Sequence, residues 1–251
     1  MGLSISIDIA KMGGNIACID VLPEPAPEWE QITKHGAKAV YKRADITRQE
    51  SLEGAFTEIV NETENLNGLV TAAGICIDKP IGEHGFEESK RVQDINIMGT
   101  FWSVKLLVDH LAKNNSPGSI VMIASLAAQG IKVPNQNLAI YAMSKAAVKG
   151  LAGPLSVELG PRNIRVNTIS PGPIVTPMTE MLKVQDPKYH KVFVTASPIQ
   201  GMGNSDEDIS PAVVYLLSDA SKWVTGIDLP ITGGVHAGIS IDLLAKGTAS
   251  L

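Results

Sequence analysis

The sequence predicts an α/β fold: one doubly wound parallel sheet with helices packed on both faces. Three observations predict it. Short runs at 15–21, 68–73, 119–124 and 164–170 are almost continuously apolar, as strands buried on both faces must be. These runs alternate with longer segments of helical period, the order that builds parallel crossovers. No linker, composition shift or internal repeat divides the 251 residues, so one domain spans 1–251, with 235–251 as an extra C-terminal tail.

Taken in order, residues 2–13 are ambiguous. Leu3, Ile5, Ile7 and Ile9 alternate with polar residues as in a strand, yet Ile5, Ile9 and Met12 also line one helical face. The run 15–21 is a strand ending in Asp20, followed by a Pro-rich loop, a short helix near 29–35 and a strand at 37–43. Asp45-Ile46-Thr47 caps a helix over 48–64. The strand 68–73 runs into Gly74, and a long helical region over 85–113 contains Asn96. After the strand 119–124 comes a helix over 139–159, with Pro154 as a kink. The strand 164–170 breaks at Pro171-Gly172-Pro173. Residues 173–205 hold short helices at most, with a lid expected over 177–205; a helix at 210–218 and a strand at 227–231 follow.

The composition excludes several classes. At 44% hydrophobic and 19% charged, the chain can bury a sizeable core. The net charge is −5 and no basic run exceeds two residues, which argues against nucleic acid and anionic membrane as partners. Cys18 and Cys76 sit in apolar runs without metal-ligand spacing, and the histidines show none either, so reduced thiols and no metal are expected. No apolar stretch approaches the ~20 residues of a membrane span. A cytoplasmic protein is the default reading.

Ligands of an open parallel sheet bind beyond the carboxyl ends of its strands. Asp20, Asp45, Gly74, Ser125 and Pro171-Gly172 each follow a strand, so they gather at one edge. Tyr141 and Lys145 start the next helix one turn apart on one face. A phenol with a pKa near ~10 is a poor acid or base at neutral pH, and a fixed ammonium beside it would lower that value. The same pair also arises by chance on helix surfaces, Ser125 also reads as a strand-end cap, and Asp20 as a solvated acid. Asn96 inside a helix is unfavourable by propensity, which points to a functional or kink-forming role.

Ser125, Tyr141-x-x-x-Lys145, Asn96 in D-I-N-I-M-G-T-F and Pro171-Gly172-Pro173-Ile174-Val175-Thr176 together resemble the short-chain dehydrogenase/reductase family. The similarity covers residues 2–234. Around 70–74 and 138–146 the chain is also similar to the fungal polyol and sugar-ketone reductases. The resemblance implies a Rossmann-like, dinucleotide-binding domain and an oxidoreductase passing hydride between NAD(H) and a secondary alcohol or ketone. It implies a catalytic set of Asn96, Ser125, Tyr141 and Lys145. Tyr141 would be the acid/base and Ser125 the donor to the substrate oxygen. Lys145 would lower the tyrosine pKa and hold the ribose, and Asn96 would hold a relaying water. Gly2, Asp20, Asp45, Ile46, Ala73, Gly74, Pro171, Gly172, Ile174 and Thr176, with Tyr141 and Lys145, would bind the cofactor. Asp20 with no basic residue in 12–27 favours NAD(H) over NADP(H). A homodimer or homotetramer is implied.

The chain departs from the family at its start. Gly2 matches only the last glycine of the T-G-x-x-x-G-x-G loop, and the central first strand ahead of it is missing. That register makes 2–13 the first helix and would leave two unpaired inner edges, through a truncated gene model or a real loss. Thr71-Ala72-Ala73-Gly74 replaces the family's N-N-A-G. The rival reading is a catalytically silent or cofactor-impaired protein of the same fold, acting as a binding or scaffold module.

Overall fold

The computed structural model describes residues 1–63, 65–130, 137–176, 179–180, 191, 194–195, 197–199 and 201–238. The expected lid over 177–205 and the tail 235–251 fall largely outside them.

Residues 2–13 resolve as helix α1, Gly2–Lys11. Gly13 ends it with φ +88°, a left-handed backbone that glycine adopts without strain, and its N–H donates to Ala10 O at 2.9 Å. Strands β1 (Ile16–Asp20) and β2 (Ala39–Arg43) flank the short helix α2 (Glu30–Lys34), and α3 covers Gln49–Glu62. Asp45 does not cap α3: its Oδ1 accepts from Thr47 N and Oγ1 at 2.9 and 2.7 Å, closing a tight turn just before the helix.

Strand β3 is Gly68–Thr71. The long helix expected over 85–113 is three segments instead: α4 (Phe86–Gln93), a widened π-type stretch Asp94–Gly99, and α5 (Thr100–Asn114). Such widened turns are rare and recur at functional sites; this one carries Asn96. Strand β4 (Gly118–Ile123), helix α6 (Ala139–Leu159, with Pro154 in its interior) and β5 (Ile164–Pro171) follow. The short strands β6 (Ile174–Val175) and β7 (Gly203–Asn204) pair with each other, and α7 (Ser210–Leu217) leads to β8 (Asp228–Ile231).

The strands are parallel, as predicted, but they do not form one sheet. β3, β4, β5 and β8 form one sheet in that order, while among the described residues β1 pairs only with β2. Alternate residues of β4 feed two cores, as the two-residue period of a strand requires. Ile120 and Met122 pack with Val104 and Leu107 of α5 and Val148 of α6. Val121 and Ile123 pack on the other face with Ile5 of α1 and Val213 and Leu216 of α7. Helix α1 serves both sheets: Ile5 belongs to that second core, whereas Ala10 packs with Ile16 and Ile32 beneath β1. Between β1 and β3 lies a cavity of about 1520 Å³, bordered by both strands.

Candidate active site

The chemistry-bearing residues converge beyond the ends of β3 and β4. Ser125 follows β4 in extended backbone, and its Oγ accepts from Ala127 N at 3.2 Å, starting a single turn of 3-10 helix. The Ser125 side chain lies close enough to the Tyr141 phenol to act on its titration. One turn along α6, the Lys145 ammonium is 5.9 Å from the Tyr141 ring centroid and donates to the Ile123 carbonyl at 2.8 Å.

Asn96 is fully buried and acts as a clamp. Its Oδ1 accepts from Ile75 N, and its Nδ2 donates to Ile75 O and to Ser144 Oγ, each at 2.9 Å. Ser144 in turn donates to Tyr141 O at 2.7 Å. The chain after β3 is thereby tied to the helix that carries Tyr141. Gly74 sits inside this arrangement. A Cβ there would lie 3.2 Å from Asn96 Oδ1 and 3.4 Å from Lys145 Nζ, so a side chain would press on both.

The electrostatics differ from the sequence-based expectation. Burial, and not the neighbouring lysine, dominates Tyr141, pushing its pKa up to about 12, with the nearby Ser125 hydroxyl pulling the other way. Cys76 also raises it when ionised. Burial holds the Cys76 thiol itself near 12, however, so it is neutral at pH 7. Lys145 is only 6% exposed, and burial lowers its pKa to about 8. The pair therefore presents a protonated phenol beside an ammonium that titrates just above neutrality. Protonated, Tyr141 can donate to an oxygen on which negative charge develops, and Ser125 can share that load.

The remaining predicted residues fall in three places. Gly2, Asp20, Ile46 and Ala73 border the large cavity, together with Gly99. Asp20 is exposed at the end of β1 and accepts from Leu22 N at 3.0 Å. Asp45 keeps its carboxylate below the usual range through its bonds to Thr47. Ile46 packs onto Gly99, where a Cβ would come within 2.5 Å of its Cδ1. Past β5, Pro171 is in the ladder with Ile231, and a Cβ on Gly172 would lie 2.7 Å from Thr232 Cα. Ile174 is buried, and its carbonyl accepts from Thr179 Oγ1 at 2.8 Å; Thr176 N donates to the same hydroxyl at 2.8 Å.

Sequence reasoning missed Ser144, the hinge between Asn96 and Tyr141, although it lies inside the Tyr141–Lys145 motif. It also missed that Cys76 lies close enough to Tyr141 and Lys145 to interact electrostatically with both. The signal was its position two residues after Gly74. Among the described residues, no cluster of three or more His, Cys, Asp or Glu is placed to hold a metal, and no helix is long and apolar enough to cross a membrane.

A parallel sheet thus carries a Ser–Tyr–Lys set and an asparagine clamp at its carboxyl edge, the candidate site of a dinucleotide-binding class of oxidoreductase. Comparison with known proteins makes the class specific. A family model described as enoyl-(acyl carrier protein) reductase matches residues 1–236. A short-chain dehydrogenase/reductase of Aspergillus versicolor is 31% identical, with 93% of this chain and 82% of that protein covered. A cyclopentanol dehydrogenase of Comamonas is 31% identical, covering 94% and 93%. A short-chain dehydrogenase/reductase from Mycobacterium marinum superposes with a TM-score of 0.86 at 30% identity, covering 93% of this chain and 90% of that one. Two further structures carry nicotinamide cofactors. Carveol dehydrogenase from Mycobacterium avium holds NAD (TM-score 0.84, 26% identity, 93% and 92% covered). A protein from Agrobacterium tumefaciens holds NADP (TM-score 0.83, 28% identity, 94% and 92% covered).

The chain belongs to the short-chain dehydrogenase/reductase family of NAD(P)-dependent oxidoreductases that act on alcohols and ketones. The family match begins at residue 1, so it lends no support of its own to a missing first strand or glycine loop.

Proposed function

We propose that this chain interconverts a secondary alcohol and a ketone, with Tyr141 exchanging the proton and Ser125 binding the substrate oxygen. Lys145 would anchor the ribose beside the nicotinamide, and Asn96 would hold the β3 end and α6 in register for proton relay. The observation that carries the reading is buried Lys145 one helical turn from Tyr141, its ammonium 5.9 Å from the phenol ring and against the wall formed by Gly74. The residues at the nicotinamide end fit such a group: a close-approach glycine, an ammonium and a phenol share one wall. When bound, that cofactor supplies or accepts the hydride. With its pKa pushed up to about 12, Tyr141 is protonated near neutral pH and has a proton to give to a carbonyl oxygen.

We read residues 1–251 as one such domain, assembled as a homo-oligomer, with NAD(H) preferred because Asp20 is an exposed carboxylate at the end of β1. We further read the separation of β1 from β3 as the place of a central strand ahead of α1; the support is the sheet order alone.

The test is turnover of a panel of cyclic and linear ketones with NADH, wild type against Tyr141→Phe. Loss of about 10²–10⁴ in kcat with the fold retained is expected; equal rates would sink the mechanism. The broken sheet favours the second reading, a cofactor-impaired binding module. A folded sample with no saturable NADH binding up to millimolar, followed by fluorescence, would decide for it.

A further inference from the structure

We propose that Asp228 is a positioning residue whose single carboxylate ties the turn that carries Ser125 to the helix that carries Tyr141 and Lys145. The proposal rests on the alcohol–ketone reading above and deepens it. Asp228 opens β8 opposite Thr168 of β5, and its side chain is only 12% exposed. Its Oδ1 accepts from Thr168 Oγ1 at 2.8 Å and from Ser170 Oγ at 2.7 Å. Its Oδ2 accepts from Gln129 Nε2 at 3.4 Å and pairs with Lys149 Nζ at 3.0 Å.

An ionised carboxylate offers about four lone-pair sites, and four donors meet them here. Burying a charge is costly unless it is paired and hydrogen-bonded, so this set is what lets a carboxylate sit between β5 and α6. The two hydroxyls, Thr168 and Ser170, are themselves fully buried and fix the carboxylate to the sheet.

The other two donors come from the two elements that the reaction must hold together. Gln129 closes the 3-10 turn Leu126–Gln129, which Ser125 starts through its own Oγ. Lys149 lies one turn beyond Lys145 on α6, on the same face. One carboxylate oxygen thus takes a side chain from each element, each about one turn from a residue assigned to the reaction. The turn is also held by Leu126 packed on Val235. That contact is apolar and non-directional, so it sets depth and leaves rotation to the bonds of Asp228. Ser125 and Tyr141 must meet one substrate oxygen, and a misplacement of about 1 Å can cost about 10² in rate.

The test is Asp228→Asn in the full chain, with Lys149→Met, Lys149→Arg and Gln129→Leu beside it. The asparagine oxygen can still accept from Thr168 and Ser170, but its NH2 then faces the Gln129 and Lys149 donors. Amide hydrogen exchange is read at Ala127 and Ala128, whose N–H groups donate to Ser125, with Ala124, bonded to Ile169 O, as the internal reference. Ketone turnover with NADH and NADH titration by fluorescence are measured on the same samples. In Asp228→Asn, exchange at Ala127 and Ala128 should quicken at least about fivefold while Ala124 holds. Turnover per folded molecule should fall about 10- to 100-fold with NADH affinity retained. Lys149→Met should lose part of that rate and Lys149→Arg restore it. A merely structural role would move Ala124 and NADH affinity as well and leave kcat per folded molecule unchanged. Unchanged exchange at Ala127 and Ala128, or unchanged kcat, overturns the proposal. If Asp228→Asn fails to fold, Gln129→Leu and Lys149→Met decide on the same readouts. A wild type that turns over no ketone sinks the alcohol–ketone reading; the exchange arm needs no turnover and still decides whether Asp228 ties turn to helix.

Discussion

Raising the pH from 7 to 9 will stabilise this protein relative to its Lys145→Met variant. Lys145 titrates at about 8 in the folded chain against an ordinary value of 10.5, because it is buried at 6% exposure. Below pH 8 the folded state carries an ammonium in a poorly solvating site, a penalty that the unfolded chain does not bear. As the pH rises through 8 toward 10.5, the folded chain binds fewer protons than the unfolded one, and stability rises. Linkage between those two values gives about 1.4 kcal/mol gained from pH 7 to pH 9. The thiols oppose this trend. Burial raises Cys18 to about 11 and Cys76 to about 12, so unfolding is favoured by thiolate formation as the pH passes 9. Both thiols remain in Lys145→Met, so the difference between the two proteins isolates the lysine. The lost bond to the Ile123 carbonyl shifts the variant's stability by a constant and leaves its slope untouched. Urea unfolding followed by tryptophan fluorescence at pH 7, 8 and 9 measures both curves. Parallel curves would refute the reasoning: Lys145 would then be better solvated than its surroundings imply.

Three further predictions follow from single contacts. Asn96→Ala removes three hydrogen bonds and strands the Ile75 backbone, so a loss of about 2–3 kcal/mol is expected from thermal unfolding. Gly172→Ala brings a Cβ within 2.7 Å of the Thr232 backbone, which cannot give as a side chain can; about 1–3 kcal/mol of destabilisation is expected in urea. Asp20→Asn removes an exposed carboxylate at the end of β1, and the ratio of NADPH to NADH affinity, read by fluorescence titration, should rise about tenfold.

Local pattern was enough for the strands and most helices. β4 and β5 are buried apolar runs, and α6 spans 139–159 as its periodicity indicates. The candidate catalytic motif was legible because Tyr141 and Lys145 are neighbours on one helix, and Ser125 and Gly74 end adjacent strands of one sheet. The break in the helix near Asn96 was less legible. A widened turn is held open by side-chain bonds to Ile75 and Ser144, 21 and 48 positions away, and no local propensity records that.

By itself, then, the sequence determined which polar residues meet the carboxyl ends of parallel strands, and in what order. Periodicity and strand-end position are properties of neighbours along the chain. Only the tertiary structure decided two things. It set the titration of the Tyr141–Lys145 pair, because burial depends on what packs around a group and here outweighs the mutual effect of phenol and ammonium. It also separated the β1–β2 pair from the sheet of β3, β4, β5 and β8, with α1 packed against both, because pairing depends on which edges lie within hydrogen-bonding reach, and β1 and β3 do not.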